Sequence, residues 1–265
     1  MQVLPALEEA WGAVIATLEG LAPDDWDRPT PCPLWSVRDI AAHLGHVEGT
    51  ALGFPQPEPP ADFDAAAFDG LDLATNSGVA ARRAWSTGEV LDEIRRSSAA
   101  TLERLWNTGD EGWREPHPSP VGMVPLAQAM EVRLADVYVH LLDIRHGLGR
   151  PLSAADEPIA SAATVGRAVR LTGWAAVKRA ELPDGARIRL SLTGPAGRDE
   201  ATVAVSGGRG LLAAEDGETT GRIEGTGLAY LLAAGGRRAM AEAAGGLTVT
   251  GDSARRLIET FRLFG

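Results

Sequence analysis

A carboxylate and an imidazole stand four residues apart in the segment 133–143, at Asp136 and His140. Apolar residues recur beside them at spacings of three and four, which predicts a helix from Pro125 to about Leu148. Residues four apart on a helix project from the same face, about one turn apart. This pair can hold one side of a metal ion, and a second segment must then supply a further ligand.

The segment 30–44 contains that further candidate, His43. Ser36 is followed three residues later by Asp39, a variant of the capping box that predicts the start of a helix carrying His43. Two histidines and one carboxylate form a three-ligand set with open positions, which is typical of catalytic metal sites. His46 lies on nearly the same helical face and remains the alternative to His43.

Helix signals dominate the first part of the chain. The predicted helices cover residues 7–21, 36–52, 86–106 and 125–148. The Pro-containing segment 109–124 is expected to be irregular. Four such helices suggest an antiparallel bundle, and bundles often build metal sites from facing helices.

The second part of the chain has a different pattern. Residues 186–192 alternate like a half-buried strand, and residues 201–205 can pair with them through a turn over 194–198. Further strands are expected at 219–223 and 247–250, and helices at 156–179, 228–234 and 252–264. With a linker at Gly149–Pro151, the sequence predicts a helical bundle over 1–150 and a smaller α+β domain over 151–265.

Charge and composition exclude several classes of partner. The net charge of -11 argues against a general nucleic-acid binder. No stretch reaches the roughly 18 apolar residues that a membrane span requires, and the N-terminal segment does not resemble a secretion signal. A single cysteine cannot form an internal disulfide and fits a reducing compartment. We therefore expect a cytoplasmic protein without a nucleic-acid or membrane partner. We further expect a monomer or homodimer.

The segments 30–44 and 133–145 resemble the mycothiol-dependent maleylpyruvate isomerase family, and the segments 225–237 and 247–252 are similar to its C-terminal pattern. The resemblance implies a DinB-like four-helix bundle that binds a divalent metal, usually zinc. It also implies a following α+β domain similar to sterol-carrier folds. The implied metal ligands are His43, Asp136 and His140.

This chain has Asp136 where the isomerase pattern has glutamate. Aspartate is one methylene shorter, so either the helices lie closer to the metal or a water molecule intervenes. The resemblance further implies mycothiol as co-substrate, with a thiolate that adds to a small electrophile and either isomerises it or stays attached to it. Two other functions share the same ligands: a non-catalytic protein that binds metal or a small ligand, and a hydrolase that uses metal-bound water without any thiol.

Two residues near the implied ligands are candidates for orienting them. Asp143 shares the polar stripe of its helix and could hold the imidazole of His140, although a salt bridge to Arg133 or Arg145 is an equal alternative. His46, if it is not a ligand, is expected at the rim or beside the site.

The remaining candidates lie further away in the sequence. Cys32 stands between two prolines before a helix, which favours a structural loop residue over a nucleophile. Arg237 follows two glycines and could bind the carboxylate of a cofactor or substrate, or lie in solvent at a helix end. His117 and His146 are expected at the surface.

Overall fold

The computed structural model describes residues 3–194, 200–213 and 217–263 of the 265-residue chain. The chain divides into two compact units, Met1–Pro151 and Leu152–Gly265. The first unit is mainly helical and the second combines helices with a sheet, as the sequence predicts. None of the described helices has both the length and the apolar character needed to cross a membrane.

Five α-helices account for most of the described part of the N-terminal unit. They are α1 (Val3–Glu19), α2 (Val37–Ala51), α3 (Gly70–Ala80), α4 (Thr87–Trp106) and α5 (Leu126–Gly147), with short 3₁₀ turns at Pro23–Asp27, Ala65–Ala67 and Gly112–Arg114. Helix α1 packs on α4 and α5, while α2 packs on α3, α4 and α5. The core between them includes the fully buried Trp11, Leu44, Ile94 and Tyr138. Burial of each such side chain stabilises the fold by roughly 1.5–3 kcal/mol relative to an exposed position. Polar groups that face this core are also withdrawn from water.

Both predicted capping boxes are confirmed. Ser36 precedes α2, and its hydroxyl accepts a hydrogen bond from the backbone N–H of Asp39 at 3.3 Å. Ser86 precedes α4 in the same way, accepting from the N–H of Glu89 at 3.2 Å. Since these caps satisfy N–H groups that a helix end leaves free, they fix where the two helices begin.

Two segments of this unit differ from the sequence prediction. Helix α3 occupies a region without a predicted helix, because its Gly, Thr, Asn and Ser residues have weak helix propensity and packing on α2 stabilises it instead. The expectation of an irregular segment over 109–124 is wrong for its second half. There, β1 (Pro116–Ser119) and β2 (Gly122–Pro125) form an antiparallel hairpin. Prolines in both strands mask that signal, since proline in a sequence normally argues against a strand unless the strand lies at the edge of a sheet.

A five-stranded sheet forms the centre of the described C-terminal unit. Its strands are β3 (Arg187–Thr193), β4 (Ala201–Ser206), β5 (Arg209–Ala213), β6 (Gly221–Thr226) and β7 (Leu247–Thr250), in the order β5-β4-β3-β6-β7. Strands β3 and β6 are parallel, and the other neighbours are antiparallel. The helices are α6 (Pro158–Lys178), α7 (Gly227–Ala234), α8 (Arg238–Ala243) and α9 (Asp252–Thr260).

The predicted pairing of β3 with β4 is confirmed, whereas the turn predicted over 194–198 lies outside the described residues apart from Gly194. Strand β5 and helix α8 were not predicted, and α9 ends at Thr260 rather than 264. Strand β5 is hard to predict because it contains Gly210, a residue with weak strand propensity. This glycine allows the close approach of α6. A Cβ added to Gly173 of α6 would lie 2.2 Å from the Gly210 carbonyl oxygen.

Candidate metal centre

Helices α2 and α5 bring three candidate ligands together inside the N-terminal unit. His43 lies in the middle of α2, and Asp136 and His140 lie one turn apart on α5. The two histidines are only 6% and 7% exposed, and Asp136 is half-buried. Because both helices contribute to the apolar core, these polar side chains face one another instead of water.

The donor atoms of the three side chains are closely spaced. His43 Nε2 lies 3.5 Å from Asp136 Oδ1, and His140 Nε2 lies 3.4 Å from the same oxygen. Ligand atoms bound at about 2.0–2.1 Å around a tetrahedral zinc ion stand about 3.4 Å apart. The spacing therefore fits a divalent ion and allows Asp136 to contribute an oxygen directly, despite its short side chain.

Asp143 lies behind His140, on the side away from Asp136. Its Oδ2 is 3.0 Å from His140 Nδ1, and its side chain is fully buried. A carboxylate at Nδ1 keeps a proton there and leaves the lone pair of Nε2 for a metal. This contact supports the predicted orienting role of Asp143.

Cys32 contacts the same carboxylate. Its Sγ donates to Asp143 Oδ2 at 3.4 Å, and Cys32, Asp143 and His140 form a second group with ligand atoms within 4.8 Å of one another. In this group Asp143 Oδ2 already accepts from both neighbours, so the protein itself satisfies these atoms. The thiol is held as a hydrogen-bond donor, in agreement with the structural reading of Cys32.

His43 is oriented by packing and not by a hydrogen bond to its Nδ1. Its Nδ1 is buried and makes no hydrogen bond to any described residue. The indole of Trp35 packs on its ring with centroids 4.9 Å apart, and on the ring of His140 at 5.8 Å. The indole N–H donates to Asn76 Oδ1 at 3.1 Å, which fixes the indole in place. Trp35 thus covers both imidazoles from one side.

Arg133 connects Asp136 to a second buried carboxylate. Its Nη1 donates to Asp136 Oδ2, its Nε donates to Glu48 Oε2 at 2.6 Å, and its Nη2 donates to the Leu44 carbonyl at 2.9 Å. Asp136 Oδ2 is therefore engaged with Arg133 and also lies 3.5 Å from His43 Nε2, while Oδ1 lies near both histidines.

The three candidate ligands perturb one another's protonation. Burial lowers the pKa of His43 to about 4, although Asp136 opposes the shift. Burial also disfavours charge on His140, but hydrogen bonds with Asp136, Asp143 and Cys32 outweigh it and raise its pKa well above the ordinary value. Burial alone would raise the pKa of Asp136, yet the two histidines hold it well below its usual range. Without a metal, the group at neutral pH contains neutral His43, protonated His140 and ionised Asp136.

His46 belongs to a different group of polar residues. Its Nδ1 lies 3.0 Å from Gln56 Oε1 and 3.4 Å from Arg82 Nη1. Its ring also packs against the backbone of Gly78, where an added Cβ would lie 2.3 Å from the imidazole. This placement does not support either predicted role for His46, as an alternative ligand or as a residue beside the ligands.

The other predicted residues lie elsewhere. His146 is exposed, as expected, and His117 is half-buried on β1. Arg237 precedes α8 in the C-terminal unit and donates to the Gly235 carbonyl at 2.8 Å, so its role in binding a carboxylate stays a prediction.

Sequence reasoning missed three contributors to this site. Arg133 was considered only as a salt-bridge partner of Asp143, although its spacing of three from Asp136 was visible on the same polar stripe. Glu48 and Trp35 carry no local signal for these roles, because Glu48 pairs with Arg133 and Trp35 packs on His140, both far away in the chain.

A helical unit with a buried histidine–carboxylate group, followed by an α+β unit, defines a two-part protein with a candidate metal centre in its first part. Residues 7–145, more than half of the chain, match the family model for the mycothiol maleylpyruvate isomerase N-terminal domain. The chain belongs to this family.

Two solved structures share the fold. One is described as the crystal structure of the mycothiol-dependent maleylpyruvate isomerase; it is 16% identical, aligns with 94% of this chain and 91% of its own, and has a TM-score of 0.60. A mutant of the same isomerase has the same identity and coverage, with a TM-score of 0.59. No curated protein matches the chain.

Proposed function

We propose that this chain is a divalent-metal-dependent enzyme that uses mycothiol to isomerise or conjugate a small electrophilic substrate. Membership of the isomerase family supports the enzyme class and the thiol. The convergence of His43, Asp136 and His140 is the one observation that carries the metal dependence. We also propose that residues 1–150 form a DinB-like domain with a four-helix core, and that residues 151–265 form the family's C-terminal domain.

The metal that we propose is zinc, which the resemblance to the isomerase family implies and which this donor set accepts. Two imidazole nitrogens and one carboxylate oxygen are ligands that zinc accepts, and three protein ligands leave a position for a co-substrate. His46 is occupied with Gln56 and Arg82, which argues against a fourth histidine closing the site. When bound, the ion would supply positive charge that favours the thiolate form of a thiol.

The residues around the ligands prepare the site for this chemistry. Asp143 holds His140 in one tautomer, and Trp35 shields both imidazoles from one side. The single cysteine of the chain, Cys32, donates a hydrogen bond from its thiol to Asp143, which argues for an external thiol as nucleophile. Sulfur would add to one carbon of a double bond conjugated to a carbonyl. Rotation and loss of the thiolate would give the isomer, while protonation of the neighbouring carbon would give the conjugate.

Reconstitution of turnover tests this proposal. Purified protein is loaded with zinc and offered maleylpyruvate and other α,β-unsaturated acids, with and without mycothiol. Turnover that requires both zinc and mycothiol is the expected result. Turnover with zinc alone would favour the hydrolase, and zinc binding without turnover on any electrophile would favour the non-catalytic alternative.

A further inference from the structure

We propose that Arg133, held in place by Glu48, is a positioning residue that makes Asp136 a one-oxygen ligand of the metal. The inference rests on the metal centre of the proposed function and assigns a role to two residues outside the ligand set. It follows from which oxygen of Asp136 is engaged, from how rigidly Arg133 is held, and from the charge of Glu48.

Asp136 has two carboxylate oxygens with different surroundings. Oδ2 accepts a hydrogen bond from Arg133 Nη1 and lies 3.5 Å from His43 Nε2. Oδ1 lies 3.4 Å from His140 Nε2 and also 3.5 Å from His43 Nε2, so it is the oxygen that both histidines approach. A carboxylate that binds an ion through both oxygens must turn both toward it. Because Arg133 engages Oδ2 in a charge-assisted hydrogen bond, Asp136 is left with Oδ1 for the metal.

Arg133 itself has little freedom to move. Besides Asp136, its guanidinium donates to Glu48 Oε2 at 2.6 Å and to the Leu44 carbonyl at 2.9 Å. It also lies over the ring of Trp11, 5.3 Å from the centroid, and it is largely buried. Contacts from α1 and α2 thus fix a side chain of α5, and through it the rotation of the Asp136 carboxylate.

Glu48 provides the charge that makes this arrangement compatible with a cation. An arginine next to a divalent ion would repel it, and an unpaired buried arginine is itself costly. Glu48 is 2% exposed, and its carboxylate cancels the charge of Arg133. Arg133 can then orient Asp136 without a large repulsive field at the metal.

The same unit contains a matched control. Arg82 and Glu93 form another buried pair, with Nε–Oε2 and Nη2–Oε1 distances of 2.6 Å each. Arg82 of this pair also contacts Gly78, Gln56, His46 and Trp85. Within the described part of the chain, neither side chain of the pair forms a hydrogen bond with a candidate ligand. Its removal reports what loss of a buried ion pair does to the fold alone.

The test compares the double variant Glu48→Leu/Arg133→Met with Arg82→Met/Glu93→Leu. Replacing both partners avoids leaving one charge buried, which favours folding. We titrate each protein with zinc, and with cobalt(II) as a spectroscopic probe whose visible absorption weakens when a four-coordinate site becomes five-coordinate. We expect the first variant to lose roughly 10–100-fold in zinc affinity, with a weaker cobalt spectrum as both Asp136 oxygens bind. The control variant should match the wild type in both readouts.

Arg133→Lys is the second probe, should the double variant fail to fold. Lysine keeps the positive charge but lacks the planar guanidinium with its several donors. This variant should therefore show part of the loss in zinc affinity and part of the change in the cobalt spectrum. Wild-type affinity and spectrum in either Arg133 variant would overturn the role of Arg133. A wild-type protein that binds neither zinc nor cobalt would instead overturn the metal centre itself.

Discussion

Two buried groups of polar residues contact α2 in the N-terminal unit, and they are built differently. In the Arg82 group, which comprises Arg82, Glu93, Gln56 and His46, strong donors meet acceptors, and Arg82 donates to Glu93, Gln56 and the Gly78 carbonyl. In the ligand group, which comprises His43, Asp136 and His140, three atoms that could bind a metal lie within 4.8 Å of one another. The first group satisfies its own hydrogen bonds, whereas the second could hold a metal ion.

His43 and His46 illustrate the difference most clearly, since they lie three residues apart on the same helix. His46 faces Gln56, Arg82 and the backbone of Gly78, and His43 faces Asp136. We therefore expect a histidine to bind a metal when its neighbours are other potential ligands, as around His43. We expect a structural role when its neighbours include hydrogen-bond donors, as around His46.

The largest expected effect is the loss of metal binding in His140→Ala. Removing one of three ligands should weaken zinc by more than the roughly 10–100-fold that loss of an outer partner costs. His46→Ala is the matched control, and its zinc affinity should equal that of the wild type. Competition titrations against a zinc chelator measure both, and equal losses in the two variants would contradict the contrast.

In the Arg82 group we expect a loss of stability without a loss of zinc affinity. Glu93→Gln leaves Arg82 buried without its counter-charge, which should lower the free energy of unfolding by about 3–5 kcal/mol. Urea denaturation measures this, with Asp92→Asn as the control because Asp92 is the exposed neighbour on α4. Folded Glu93→Gln should still bind zinc with wild-type affinity. A stability equal to that of the control would show that the pair contributes little.

Zinc affinity should depend on pH through His140. Its pKa is raised, so near neutral pH the metal must displace one proton, whereas His43, with a pKa of about 4, is already neutral. Affinity should therefore rise about tenfold per pH unit between roughly pH 5.5 and 7.5. Asp143→Asn removes a group that raises the pKa of His140, so its slope should be shallower. A flat wild-type profile would contradict the protonated His140.

The smallest effect is expected in Cys32→Ser. A serine hydroxyl can still donate to Asp143, so zinc content and turnover should stay within about twofold of the wild type, as for other substitutions that keep their hydrogen bond. Zinc analysis and the thiol-dependent assay check this. A large loss of either would make Cys32 a ligand or a nucleophile.

The sequence was sufficient for the order of the two parts and for the start of α2 and α4. Caps and apolar periodicity are local signals, and Ser36 and Ser86 mark helix starts without help from the rest of the fold. Helix α3 and the hairpin at 116–125 escaped prediction because weak propensities there are overridden by packing.

The candidate site was predictable only in part. The spacing of Asp136 and His140 is local. Helical spacing does not separate His43 from His46, since both lie on nearly the same face of α2, and only the family resemblance favours His43. The exact rotation of that helix decides between them, and close packing sets it. A Cβ added to Gly45 would lie 2.8 Å from Glu93 Oε2, so the absence of a side chain at Gly45 lets Glu93 of α4 lie against this face of α2. The role of Glu48 could not be predicted from the sequence, because its partner Arg133 is 85 residues away.

A crystal structure of the zinc-loaded protein, with the ion located by its anomalous scattering, tests the central claim most directly. We predict one zinc ion at about 2.0–2.2 Å from His43 Nε2, Asp136 Oδ1 and His140 Nε2, with Asp136 Oδ2 still on Arg133. Zinc bound instead by Cys32, Asp143 and His140 Nδ1, or by His46, would contradict it.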